Sequence, residues 1–320
     1  MPNEWNADVS RRALVSPELP PPDFDLATAS DRDRVRYGFP AEPDQQTQPA
    51  AWAKWERNLH RPWRRVLPEY ELRPARTNRE GQRPEGAGSS PNWSGAVAFP
   101  AAAGDAFSFV IGSWTVPNAY PPRSTWNGHS YNNGFYNALH WIGLDGWTGA
   151  GANDVLQIGT GTDVSVVDGA ISVSCYCWYE WWYGPLNNGY SKLSGFTVTP
   201  GDLISAVVCS TAPNSGTAYI GNVTRAEYVS QVITDPSPAL TLTGNTAEWI
   251  VEREGLGQTF STLADYGGVF FSDCVAGGIR WEIDLNAAEA VNMTVGSAIT
   301  STGTKVSEYV LQCYYGTAAP

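Results

Sequence analysis

The chain has 320 residues, with 20 Lys and Arg against 32 Asp and Glu, for a formal net charge of −12. Nucleic acid is thereby excluded as the main partner, because phosphate binding needs clustered cations. Charged residues make up only 16% while 32 Gly, 23 Pro, 14 Trp and 15 Tyr are present, a composition that favours strands and turns over surface helices.

Residues 1–48 contain Pro20-Pro21-Pro22 and Asp31-Arg32-Asp33-Arg34 and read as largely irregular. Met1 to Pro20 holds no apolar core of the length a secretory signal peptide needs. No run of about 18 apolar residues occurs, so no membrane span is expected. A short helix is predicted over residues 50–61, where Trp52, Trp55 and Leu59 recur at helical spacing before Pro62 interrupts. From Lys54 to Arg83 there are nine basic residues against four acidic ones, whereas residues 91–320 hold 6 basic and 18 acidic residues. The basic stretch is either a solvated linker or a segment that docks on the acidic part by charge complementarity. Arg83 to Ser90 is rich in Gly, Ser and Pro. It marks a boundary between an N-terminal segment, residues 1–88, and a β domain, residues 89–320.

Short alternating runs then recur: Ala106–Val116, Leu139–Leu144, Ala170–Trp182, Leu203–Cys209, Thr217–Thr224, Tyr228–Thr234, Thr246–Glu252, Gly268–Val275 and Ser307–Tyr314. Turn signals such as Asn187-Asn188-Gly189 and Pro200-Gly201-Asp202 separate them. Many evenly spaced strands without helical patterns between them predict an all-β sandwich or barrel of antiparallel sheets. The five cysteines permit two bridges and one free thiol, or five free thiols. Cys175 and Cys177 share a strand face, which would strain a bridge between them.

With three His, no HExxH and no His/Cys cluster at zinc spacing, a zinc hydrolase is not expected. There is no GxSxG, and a Cys–His pair using His140 has no local support. Carboxylate chemistry remains. Glu248 lies in the strand Thr246–Glu252, on the face of Ile250 and Glu252, and Glu180 lies between Trp178 and Trp182 on one face of another strand. Apolar surroundings raise a carboxyl pKa and make it a usable acid or base. Two more stretches look site-like: Trp141-Ile142-Gly143-Leu144-Asp145-Gly146, and Asp154-Val155-Leu156-Gln157-Ile158-Gly159 with a neutral amide in an apolar strand.

The motifs NWSGAV (Asn92–Val97), WIGLDG (Trp141–Gly146), LQIG (Leu156–Gly159), WYEW (Trp178–Trp181) and TAEWIVE (Thr246–Glu252), in that order, resemble the glutamic peptidases, the eqolisin family. The resemblance covers about 225 residues from Asn92. It implies a sandwich of two curved antiparallel sheets, similar to the legume-lectin (concanavalin A) architecture. It implies an acid-acting, metal-independent endopeptidase without a cofactor. The catalytic dyad would fall on Gln157 and Glu248, with Trp141, Asp145 and Glu180 in supporting places. Glu248 would act as general base and then acid, and Gln157 would stabilise the oxyanion. The substrates would be polypeptides, and neither nucleic acid nor a membrane would be a partner. The resemblance also implies an exported monomer held inactive by its basic N-terminal segment until acidification. Two features depart from the family pattern. Arg253 follows TAEWIVE where an acidic residue is common, and the cysteine pattern does not match closely enough to transfer a disulfide. Two other readings stay open: a glycoside hydrolase using Glu180 and Glu248, and a non-catalytic carbohydrate-binding module.

Overall fold

The computed structural model describes residues 14–15, 18, 20–21, 23–59, 61, 63–74, 88–147, 154–182, 189–234, 241–256 and 259–316. Its strands before the centre of the chain are β1 (Leu14–Val15), β2 (Arg64–Arg65), β3 (Glu69–Pro74), β4 (Ser89–Ser90), β5 (Trp93–Ala98), β6 (Phe109–Thr115), β7 (Gly134–Leu144), β8 (Val155–Val167), β9 (Ala170–Trp182) and β10 (Gly189–Ser194). There follow β11 (Leu203–Ala212), β12 (Ser215–Asn222), β13 (Glu227–Thr234), β14 (Ala247–Glu252), β15 (Gly255–Leu256), β16 (Thr259–Phe260), β17 (Thr262–Leu263), β18 (Gly268–Gly278), β19 (Trp281–Ile283), β20 (Ala288–Val295), β21 (Ala298–Ser307) and β22 (Val310–Tyr315). The predicted all-β architecture is the one observed. Each of the nine predicted runs falls on a strand, with ends displaced by a few residues.

The principal strands form two antiparallel layers. The first runs β3-β10-β9-β8-β7-β14-β5-β20. The second runs β13-β12-β11-β6-β18-β22-β21-β20. Strand β20 belongs to both and joins the layers at one edge. Ile142, Leu156, Ile158 and Trp249 of the first layer pack on Val110, Trp114, Val208 and Phe271 of the second in one buried cluster. Two indoles also bond across it, Trp249 Nε1 donating to the Ile111 carbonyl at 2.8 Å and Trp114 Nε1 to Thr160 Oγ1 at 2.9 Å. Gly112 makes this crossing possible, since a Cβ there would lie 3.0 Å from Trp249 Cδ1.

Strand alternation turns the other half of the first layer's side chains away from this core. Trp93, Val97, Trp141, Trp178 and Ile250 form a second apolar cluster on that open face. It also carries Gln157 and Glu248.

The described part of residues 1–48 is largely irregular, as expected, apart from β1 and helix α1 (Asp31–Arg36), which begins at Ser30, whose hydroxyl accepts from the Asp33 amide. Helix α2 (Pro49–Leu59) matches the helix predicted over residues 50–61. Phe39, Ala51 and Trp55 of the N-terminal segment are buried against the outer face of the second layer. Its cations pair there too: Lys54 and Arg57 each lie 3.5 Å from Asp273, and Arg64 pairs with Glu227. Strand β3 alone joins the first layer, at its β10 edge. All five cysteines are free thiols. Among the described residues no helix is long and apolar enough to cross a membrane.

Candidate active site

Registers place three of the five sequence-predicted residues, Glu180, Gln157 and Glu248, in one row across the first layer. Glu180 of β9 faces Gln157 of β8, Gln157 faces Gly143 of β7, and Gly143 faces Glu248 of β14. Val97 of β5 and Glu289 of β20 continue the row. Directly opposed residues project to the same face, so Gln157 and Glu248 stand on the open face two strand spacings apart, about 9.5 Å between Cα atoms. The residue between them has no side chain. A Cβ on Gly143 would meet Gln157 Cβ at 3.2 Å and Trp141 Cζ3 and the Leu156 carbonyl at 3.0 Å. The Trp141 ring thus leans over Gly143, and a larger residue there would press on it and on Gln157.

Gln157 and Glu248 are buried at 4% and 0% exposure. Gln157 Nε2 donates to Glu180 Oε2 at 2.8 Å, which fixes the amide's rotation. Its Oε1 and both Glu248 carboxyl oxygens have no hydrogen-bond partner among the described residues. Buried acceptors of this kind are rare in folded proteins, where they often mark chemistry or a site for a polar guest. Burial pushes the Glu248 carboxyl well above its ordinary range, and the negative charge of Asp145 adds to the rise. Thr246 opposes it, although its hydroxyl stands outside hydrogen-bonding geometry.

Asp145 reaches neither Gln157 nor the space over Gly143. It has a left-handed backbone, φ 66°, and its carboxylate accepts from the Thr243, Gly244 and Asn245 amides at 2.6, 3.1 and 2.7 Å and from the Thr243 hydroxyl at 2.9 Å. This clamp holds the turn that leads into β14, and hence the height of Glu248. Burial raises the Asp145 pKa and these donors oppose the rise.

Trp141 lines the same face, its ring set edge-on to Trp93 with centroids 5.0 Å apart. Its Nε1 donates to Glu252 Oε2 at 2.8 Å, and Asn92 Nδ2 donates to Glu252 Oε1 at 3.0 Å. Burial raises the Glu252 carboxyl to about 7, against the pull of the nearby Trp93 indole, which stands outside hydrogen-bonding geometry, and of its Trp141 and Asn92 donors. Sequence reasoning did not nominate Glu252 or Asn92. The available signal was parity, since Glu252 shares the strand face of Glu248.

The rival arrangements find less support in this geometry. Glu180 and Glu248 stand three strand spacings apart, about 14 Å at Cα, with Gln157 bonded to Glu180 between them. Glycosidase carboxyl groups work about 5–9.5 Å from each other, which would need Glu180 to lean toward Glu248, whereas Gln157 holds it in place. His140 projects into the core beside Tyr266 and not onto the open face, and burial lowers its pKa to about 3.

Fold and row together define a class: an antiparallel β-sandwich with a buried acid–amide pair on the open face of one layer. The chain matches the Peptidase A4 family over residues 91–315 and belongs to it. It is similar to aspergillopepsin-2 of Aspergillus niger, 33% identical over 196 residues, which covers 58% of this chain and 64% of that protein. The chain thus spans a little under two thirds of that relative. Scytalidopepsin B of Scytalidium lignicola is 29% identical over 231 residues, covering 70% of this chain and 77% of that protein. The structure of scytalido-glutamic peptidase with a transition state analog inhibitor is similar at TM-score 0.55 and 25% identity, covering 71% of this chain and 98% of that one.

Proposed function

We propose that the chain is an acid-acting endopeptidase in which Glu248 and Gln157 hydrolyse the peptide bond. The observation that carries this reading is the shared row, with an unsubstituted glycine between an unpartnered carboxyl and an orientated amide. Glu248, ionised, takes a proton from water, and the water oxygen attacks the peptide carbonyl carbon. One Gln157 N–H is held by Glu180, and the other is free for the developing oxyanion. The Gln157 carbonyl oxygen accepts from the attacking water. As the C–N bond breaks, Glu248 returns its proton to the leaving amine. Its raised pKa suits that second half. Entry of water and substrate relieves the desolvation that raises it, which suits the first. Glu180 orients Gln157, Asp145 sets the turn before Glu248, and Trp141 forms a wall of the cleft.

Digestion of casein or haemoglobin at about pH 3–4, where carboxylates titrate, tests the dyad. Glu248→Gln should lower kcat about 10²–10⁴-fold, and Gln157→Ala about 10²–10³-fold, with circular dichroism unchanged. More than a tenth of wild-type activity in Glu248→Gln would sink the assignment.

The enzyme is further proposed to be exported, to act on polypeptides as a monomer, and to be made as a zymogen cut near residue 88 at acid pH. Six backbone pairs seat β3 on the edge of the catalytic layer, with Arg73 opposite Tyr190 beside the Glu180 end of the row. That contact supports restraint by the N-terminal segment. Incubation at pH 3.5 should yield a shortened, more active chain, and full activity of the uncut chain would contradict the zymogen reading.

A further inference from the structure

The outer face of the second layer is apolar and aromatic, which is unusual for the exterior of a sandwich. Phe109, Ile111, Tyr219 and Tyr228 are all buried there. Their cover is the N-terminal segment: Phe39 packs on Tyr228 with centroids 5.8 Å apart, and Trp63 stacks on Tyr219 at 6.5 Å and 22°. Trp55 of α2 is 2% exposed in the same cluster.

The body of the protein is shaped for this cover. Gly221 is the seat of Trp63, since a Cβ there would stand 2.0 Å from Trp63 Cζ3. Glu282 accepts from the Ala50 and Ala51 amides at 2.9 and 2.8 Å, so a carboxylate of the β domain caps the first turn of α2. Gln48 Nε2 donates to the Gly278 carbonyl at 2.6 Å and Asn58 Nδ2 to Ser205 Oγ at 2.7 Å, both buried. The charged groups at this interface include Lys54 and Arg57 facing Asp273, Arg64 facing Glu227, Arg65 over the Phe39 ring and near Tyr228, Asp44 in the field of Arg280, and the Glu282 cap. Acid neutralises the carboxylates. It leaves the ring contacts, the Trp63 seat and the two side-chain amide bonds in place.

We propose that the outer face of the second layer is a lasting docking surface for the chain's own residues 23–65, which stay bound there after the backbone is cut and at acid pH. The proposal builds on the cut suggested above but does not depend on it, because an engineered cut tests it.

The full chain would carry Glu248→Gln, to silence self-digestion, and a specific-protease sequence replacing residues 82–87. After cutting, both fragments should co-elute in size exclusion at pH 7 and at pH 3.5. Asp273→Asn with Glu282→Gln should change the fragment dissociation rate less than threefold. Gly221→Val, which blocks the Trp63 seat from the body side, should speed dissociation at least tenfold, with the uncut chain checked by circular dichroism. Phe39→Ala with Trp55→Ala gives a second variant from the other side. Separation of the unsubstituted fragments at pH 3.5, or release by the two carboxylate substitutions alone, would overturn the proposal in favour of a charge-held, acid-released segment.

Discussion

At the scale of single residues, the proposed joint action of Glu248 and Gln157 turns on Gly143, which stands between them in the row. Both project from the same face, two strands apart, and a side chain on β7 between them would collide with Trp141 and Gln157. Gly143→Ala brings a methyl to 3.0–3.2 Å from Trp141, Leu156 and Gln157. It should lower turnover tenfold or more while costing only about 1–3 kcal/mol of stability, read by urea unfolding beside casein digestion. Unchanged turnover would show that the space over Gly143 is not used. Glu252 is the residue that holds Trp141 to this space. Glu252→Gln keeps an acceptor for the indole and should keep most of kcat, whereas Glu252→Ala frees the ring and should raise KM more than it lowers kcat.

Among the elements, the strands that place the dyad were legible in part. β9 and β14 announced themselves, because they are rich in Trp, Tyr, Val and Ile and contain neither Gly nor Pro. β8 was read only as a short apolar run over residues 154–159, yet it extends to Val167. Its second half alternates Gly and Thr, and glycine weakens a strand signal. The structure gives those glycines a use: a Cβ at Gly159 would lie 2.6 Å from Trp141 Cβ, and one at Gly161 would lie 2.4 Å from the Tyr176 ring. Register is long-range information and no local pattern contained it, so the meeting of Gln157 and Glu248 could be expected from the family motifs but not from alternation. The role of Asp145 was likewise out of reach, because its partners are 98–100 residues away. Asp145→Ala should cost on the order of 3 kcal/mol by stranding the amides of residues 243–245. It should lower kcat through misplacement of β14, with Asp145→Asn recovering part of both. A variant with full stability and full kcat would remove Asp145 from the site.

At the scale of the whole molecule, carboxyls displaced from their ordinary range make stability depend on pH. The folded state holds the Glu252 proton up to about pH 7, whereas the unfolded chain gives it up near its ordinary 4.5. Between those values the native state binds the extra proton, so stability falls as pH rises through that window and is fully present below it. Glu248 acts in the same direction from 4.5 upward. Asp202 runs the other way: its carboxylate is held below 3.8 by Asn222, Arg225 and Thr199, against burial, and its contribution is lost as pH falls through that lowered value. Thermal unfolding should therefore occur at higher temperature near pH 4.5 than at pH 7, and Glu248→Gln with Glu252→Gln should flatten that difference. An unchanged pH dependence in the double variant would place the effect elsewhere. Composition showed the acidity of the β domain but not which carboxyls are buried, since burial follows from the layering of strands distant in sequence.

A double-mutant cycle on kcat/KM at about pH 3.5, within the carboxylate range, tests the central claim most directly. If Glu248 and Gln157 act together on one water and one carbonyl, Glu248→Gln, Gln157→Ala and the double variant should lose activity to nearly the same extent. Losses that simply multiply, or a Gln157→Ala enzyme near wild-type activity, would contradict it.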